Sequence, residues 1–144
     1  MKFSTATIAL LAAAVSAESA SQAVRVTVSD LSIHKSVSGG KTSIRSVSFK
    51  LSDPDAKNME CSAQNPTFPN AAPMQCAGSW YSFELVAGTH GNEFSLGLQH
   101  GPTHHVYWGI GSIPTKCSPG AEDILCVSEN KSDSFLLSVG GNGN

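Results

Sequence analysis

Five stretches of this sequence place apolar residues at every second position, and two short apolar runs join them. Val24, Val26 and Val28 alternate with Arg25, Thr27 and Ser29, and Val47, Phe49 and Leu51 alternate with Ser46, Ser48 and Lys50. The pattern returns at Tyr81, Phe83 and Leu85, and again at Phe94, Leu96 and Leu98. Val106, Trp108 and Ile110 alternate against Tyr107 and two small residues, Gly109 and Gly111, and residues 124–127 and 135–139 complete the set. Successive side chains of a strand point to opposite faces, so a period of two marks half-buried strands. No stretch carries a helical stripe. Turn residues fall between the stretches: Ser38-Gly39-Gly40, Asp53-Pro54-Asp55, Gly88-Thr89-His90-Gly91-Asn92, Gly101-Pro102 and Ser118-Pro119-Gly120. Short strands at this spacing predict an all-β chain of seven or eight strands, a compact antiparallel β-barrel or β-sandwich.

Four cysteines, Cys61, Cys76, Cys117 and Cys126, lie within this pattern. An even count behind a secretory leader reads as disulfides formed in an oxidising compartment. Three pairings are possible. The sequential one, Cys61–Cys76 and Cys117–Cys126, is favoured because each pair brackets its own Pro/Gly-rich turn. Closing loops of that size is worth roughly 3 kcal/mol for the first and somewhat under ~3 kcal/mol for the second. A zinc site is disfavoured, because the spacings of 14 and 8 intervening residues contain no Cys-x-x-Cys pair. Residues 65–75, inside the first cysteine loop, carry Pro66, Pro69 and Pro73 and are expected to form an ordered surface loop tied at both ends.

The leader itself is residues 1–17. Lys2 supplies a positive charge, an apolar run follows from Ala6 to Val15, and Val15-Ser16-Ala17 offers small residues for cleavage. Cleavage is expected after Ala17, with Ala20 as the alternative. The run is too short to cross a bilayer, which takes about 20 residues. The expected layout is a signal peptide over 1–17, one β domain over 18–139 and a flexible glycine/asparagine tail over 140–144.

Without the leader the chain keeps 8 Lys and Arg against 11 Asp and Glu, a net charge near −3. The basic residues are scattered singly, which argues against nucleic acid or an anionic membrane as partner, since phosphate binding needs clustered Lys and Arg. The protein is expected to be secreted and extracellular, and to require no cofactor.

Catalytic constellations are sparse. His90, His100, His104 and His105 suggest a metal site at strand ends, but adjacent His104 and His105 would point to opposite faces of a strand. They are read as unliganded, with no metal expected. Glu84 and Glu93 flank an expected hairpin and offer the two carboxylates that glycoside hydrolysis needs; outward-facing strand charges explain them equally well. There is no Gly-x-Ser-x-Gly elbow and no unpaired cysteine. No catalytic residue is assigned, and the protein is read as a non-enzyme. Trp80, Tyr81, Tyr107 and Trp108 offer an aromatic lining for a barrel mouth that would take an apolar ligand. Asn130-Lys131-Ser132 is a formal N-glycosylation sequon, whereas Asn65-Pro66-Thr67 is excluded by its proline.

Beyond these readings lies a resemblance. Cys61-Ser62-Ala63-Gln64 ending one strand, Cys76 before the aromatic strand Trp80-Tyr81-Ser82-Phe83-Glu84-Leu85, a Tyr-x-Gly strand leading through Ile113-Pro114 to Cys117, and then Cys126, form an order that resembles the AA1-like domain. This is the family of the Alternaria major allergen and of fungal elicitors of the plant hypersensitive response. The resemblance runs from about Val24 to Val139. It implies a compact β-barrel-like or β-sandwich fold, the same two intrachain disulfides, and no enzymatic activity. It also implies a secreted fungal effector or elicitor that binds a host extracellular protein, such as a pathogenesis-related protein, and modulates defence. Allergen members carry an extra cysteine before the first strand that links two chains; residues 17–28 contain none here, so a monomer or a non-covalent dimer is expected. Phe68 and Met74, in the tied loop, are the expected partner-contact residues, since loops on a rigid scaffold commonly carry binding. The alternative functions are a small-ligand-binding barrel and a small secreted hydrolase.

Overall fold

In the computed structural model, which describes residues 23–69, 72–101 and 106–139, the regular elements are all strands. The expected leader at 1–17 and the expected tail at 140–144 lie outside the described residues. In chain order the strands are β1 (Ala23–Ser38), β2 (Lys41–Ser52), β3 (Met59–Gln64), β4 (Met74–Gln75), β5 (Tyr81–Ala87), β6 (Phe94–His100), β7 (Tyr107–Ser112), β8 (Thr115–Cys117), β9 (Ile124–Ser128) and β10 (Ser132–Val139).

β1 and β2 form a long antiparallel hairpin closed by Gly39 and Gly40 at φ +58° and +77°. A two-residue turn that matches strand twist needs left-handed backbone at both positions, which glycine adopts without steric cost. β1 is the spine of the fold. One of its edges pairs with β2. On its other edge residues 23–29 lie opposite β10 and residues 32–35 opposite β9. β9 and β10 therefore behave as one long strand broken at 129–131. Opposite that break β1 itself bulges between Ser29 and Ser32, with Asp30 at φ 54°. β7 and β8 repeat the arrangement one strand further out: β7 pairs with β10, β8 with β9, and at the break the Glu129 N–H donates to the Pro114 carbonyl at 2.9 Å.

The resulting order is β3-β2-β1-β10-β7-β6-β5-β4. This sheet curls into a nearly closed antiparallel barrel whose end strands, β3 and β4, are tied by Cys61–Cys76. The second disulfide joins Cys117 to Cys126, which face each other across the β8–β9 hairpin. Inside the barrel the alternate residues Val26, Val28, Val47, Phe49, Leu51, Phe83, Leu85, Leu96, Leu98 and Leu137 are buried. Phe49 and Phe83 meet edge to face at 5.0 Å. Each large side chain withdrawn from water in this way contributes about 1.5–3 kcal/mol.

The expected strands are present, including β3, which the Cys61-Ser62-Ala63-Gln64 segment ends, and they are joined by β4 and β8. One of them is turned over. Hydrophobicity alone would send Val106, Trp108 and Ile110 inward and leave the glycines outside. Instead Gly109, Gly111 and Ile113 are buried, and Val106 and Ile110 are exposed. The cause is the closeness of β10. A Cβ on Gly109 would lie 2.5 Å from the Leu136 carbonyl oxygen, and one on Gly111 would lie 2.3 Å from the Phe135 ring. Only hydrogen fits there, so the bulky residues of β7 take the outer face.

Candidate functional site

The reversal of β7 builds an apolar surface on the outside of the barrel. Strand register sets out its rows. Ser82, Gln99, Trp108 and Ser138 lie side by side across β5, β6, β7 and β10. One step along, Glu84, Gly97 and Ile110 align, with Leu136 on the neighbouring β10 paired to Arg25 of β1. One step the other way, the Gly101 N–H donates to the Trp80 carbonyl at 3.3 Å, continuing the β5–β6 ladder to the end where Val106 enters β7. Trp80 is 68% exposed, Leu136 51%, Ile110 49% and Val106 37%. Gly97 leaves room for Glu84 to fold across β6: a Cβ there would meet the Glu84 Cγ at 2.8 Å. The face thus combines large apolar side chains on adjacent strands with neutral hydrogen-bonding groups, and its charges are Glu84 and, at the margin, Arg25. Apolar residues clustered in this way on a surface, rather than scattered singly, make it the candidate interaction face.

Behind this face, at the same end of the barrel, the inward-pointing row is Tyr81, His100 and Tyr107. Tyr81 stacks on His100 with ring centroids 4.1 Å apart, and His100 lies 6.3 Å from Tyr107. The Tyr81 hydroxyl donates to Asp53 Oδ2 at 2.5 Å. The other carboxylate oxygen, Oδ1, accepts from the backbone N–H groups of Asp55 and Ala56 at 2.8 and 2.6 Å, an Asx turn that shapes the β2–β3 connection. Burial, and then the Asp53 carboxylate, hold the Tyr81 phenol well above its ordinary range. Burial pushes the Asp53 carboxyl up, but the hydrogen bonds from Tyr81, Ala56 and Asp55, with the His100 charge, outweigh it and hold the group below the usual carboxylate range.

The four aromatics expected to line one mouth are therefore divided. Trp80 and Tyr81 are consecutive, as are Tyr107 and Trp108, and consecutive strand residues face opposite ways. Tyr81, 2% exposed, plugs the barrel end with Tyr107, while Trp80 and Trp108 belong to the outer face. Phe68 and Met74 are both half-buried against the core. Phe68 meets Phe94 edge to face at 5.4 Å, and Met74 sits in β4 opposite Phe83. They anchor the loop from beneath. Exchanging them for serine would remove core packing together with any contact surface, so that pair cannot report on recognition alone; residues 70 and 71 lie outside the described residues.

The other candidate groups are dispersed. Glu84 lies over Gly97, whereas Glu93 pairs with the Lys35 ammonium, so the two carboxylates are engaged separately. Lys35 is 7% exposed, its ammonium 5.6 Å from the Phe94 ring centroid, an ion pair and a cation–π contact at the barrel end with the Glu93 side open to solvent. Glu93 also lies 3.9 Å from the Cys117 sulfur. Three potential metal donors, from Glu93, Cys117 and Cys126, come within 4.8 Å of one another, but the two sulfurs are bonded together and have no thiolate to offer. His34 and His90 are exposed, on β1 and on the β5–β6 turn, and His104 and His105 lie outside the described residues. Asn130 is exposed at the break between β9 and β10.

Three comparisons with known proteins bear on the family and the fold. The family model described as Alternaria alternata allergen 1 matches residues 28–134. The effector protein PevD1 of Verticillium dahliae is 36% identical over 107 residues, a match covering 73% of this chain. That match spans 66% of PevD1, just under two thirds of its length. Crystal structures of the Alternaria alternata major allergen Alt a 1 superpose with a TM-score of 0.57, at 17% identity over 80% of this chain and 91% of the allergen for one, and 16% over 80% and 86% for another. At such identity the likeness is one of fold.

Proposed function

The chain belongs to the Alternaria alternata allergen 1 family, and on that premise we propose that it is a secreted, effector- or elicitor-like fungal protein acting by non-catalytic recognition of a host plant protein. The relationship to a protein named as an effector supports the class of role. The observation that carries the mode of action is the outer face of β5, β6, β7 and β10, where Trp108, Ile110 and Leu136 stand on β7 and β10, Trp80 lies just before β5, and Gln99 lies in register with Trp108. A partner protein of the extracellular space, of the pathogenesis-related kind, would bury the aromatic and aliphatic side chains at the centre and meet Gln99, Ser82, Ser138 and Glu84 around them, the usual arrangement of an apolar core with a polar rim. Binding of this kind modulates defence by occupying the host protein rather than by changing it chemically.

The test is a pull-down from plant apoplastic fluid with the chain lacking its leader, run beside a triple variant Trp80→Ser, Ile110→Ser, Leu136→Ser. These side chains lie outside the barrel, so the variant should keep the far-ultraviolet circular dichroism of the parent. The parent should retain a host protein that the variant loses. Equal retention by the two would remove this face from the reading.

A further inference from the structure

We propose that Asn130 is a site of N-linked glycosylation. Asn-x-Ser/Thr with a residue other than proline in the middle occurs once in the 144 residues, at Asn130-Lys131-Ser132. The fold puts this tripeptide where a glycan is tolerated. Asn130, Lys131 and Ser132 are all exposed. They sit at the break between β9 and β10, so Asn130 belongs to no strand ladder. Beside them an open groove of about 450 Å³, with Asp30, Ser32, Val127 and Glu129 among its lining residues, leaves room for the first sugar to lie against the protein.

The chemistry is compatible with the contact the side chain already makes. Asn130 Nδ2 donates to Asp133 Oδ1 at 2.9 Å, while Asp133 Oδ2 is buried without a hydrogen-bond partner among the described residues. In the transfer the amide nitrogen bonds to the anomeric carbon of the reducing-end N-acetylglucosamine of a lipid-diphosphate-linked oligosaccharide. The carbon–oxygen bond to the diphosphate breaks, its electron pair leaves with the diphosphate, and Nδ2 gives up one proton. The second N–H remains. It leaves the nitrogen one donor with which to meet Asp133 Oδ1.

The glycan would also stand clear of the proposed recognition face. Ser132 lies four residues from Leu136 along β10, about 13 Å at ~3.3 Å per residue, and Asn130 lies beyond it. This inference shares with the functional reading only passage through a secretory pathway. The two can fail separately.

The test is expression of the full 144-residue chain in a eukaryotic secretory host, with mass spectrometry of both the medium and the cell-retained fraction before and after peptide N-glycosidase. The expected result is a heterogeneous mass that collapses on glycosidase treatment, with the peptide map showing aspartate at position 130. Asn130→Gln and Ser132→Ala should both lose the shift, whereas Ser132→Thr should keep it. An unmodified parent in both fractions overturns the proposal, as does a glycosidase-sensitive shift that persists in Asn130→Gln. Because Ser132→Ala leaves Asn130 and its Asp133 contact in place, the result stands even if the glutamine variant folds poorly. Host-protein retention by Asn130→Gln should equal that of the parent, separating this outcome from the fate of the recognition face.

Discussion

Tyr81 closes one end of the barrel with its ring and fastens the β2–β3 connection with its hydroxyl, through the 2.5 Å bond to Asp53. Hydrogen bonds to charged acceptors contribute about 1.5–3 kcal/mol, and a partly solvated carboxylate lowers that figure, so Tyr81→Phe should cost about 1–2 kcal/mol at neutral pH. The deficit should depend on pH in a definite direction. The Asp53 carboxyl is held below its ordinary value in the folded state, so its contribution is present above that value and is lost as pH falls through the depressed one. The phenol is shifted the opposite way. Its contribution is present below the ordinary tyrosine range, around pH 10, and is lost as pH rises beyond it. Urea denaturation of parent and variant should show the full gap at pH 7 and a shrinking gap below about pH 4. A gap unchanged at acid pH would mean that ring packing, and not the bond to the carboxylate, is what the substitution removed. Period-two alternation made Tyr81 legible as an inward residue. It says nothing of a partner 28 positions away, nor of the Lys35–Glu93 pair, whose members are 58 apart, because long-range pairing follows from how strands are ordered and not from local pattern.

The strands legible in the sequence were those long enough to alternate several times. β4 has two residues and β8 three, too few to display any period, and both exist because a neighbour offers a ladder. β1 runs past its valines through a serine-rich stretch to Ser38, where the Gly-Gly turn was the readable feature. The inverted face of β7 was unreadable for a related reason: the approach of β10 to Gly109 and Gly111, and not the hydrophobicity of Val106 or Ile110, decides which side faces in. The disulfides were legible because each joins cysteines flanking a local turn, but their roles differ. Cys61–Cys76 ties the two end strands of the sheet, whereas Cys117–Cys126 reinforces a hairpin that already has a ladder. Chain entropy makes them similar in free energy, about 3.0 kcal/mol for the 15-residue separation and ~2.6 for the 9-residue one. Their removal should nonetheless be distinguishable by amide hydrogen exchange. Replacing Cys61 and Cys76 with alanine should cost protection in β3, β4 and the connection between them, while the Cys117/Cys126 double replacement should cost it within residues 115–128. Matching exchange profiles in the two variants would show that the end strands are held by packing and not by the bond.

At the scale of the whole molecule, the balance between charge and apolar surface decides what kind of partner the protein suits. The tied loop is the longest irregular piece of the sequence, yet Phe68 and Met74 pack against the core, and the exposed apolar residues stand on the strands or immediately before them instead. A loop's composition does not reveal which of its side chains it needs as anchors, and a strand's alternation does not reveal which face is outside. The face built on Trp80, Trp108, Ile110 and Leu136 carries Glu84 and a marginal Arg25, and the basic residues of the chain are scattered. Association through it should therefore draw on apolar burial and owe little to electrostatic steering. Charges exposed to solvent are screened beyond about 10 Å at 0.1 M salt, so a charge-driven complex weakens markedly as salt rises, while an apolar one does not. The dissociation constant for the captured host protein should change by less than about threefold between roughly 0.05 and 0.5 M sodium chloride. Burying about 900 Å² of apolar and about 700 Å² of polar surface, a standard interface, should give a heat-capacity change near −0.2 kcal/mol/K. Titration calorimetry at several temperatures and two salt concentrations measures both quantities. An affinity that falls tenfold or more over that range, with a heat-capacity change near zero, would move recognition away from this face and onto the polar side of the barrel, where Ser32, Ser48 and Ser62 lie in register across β1, β2 and β3.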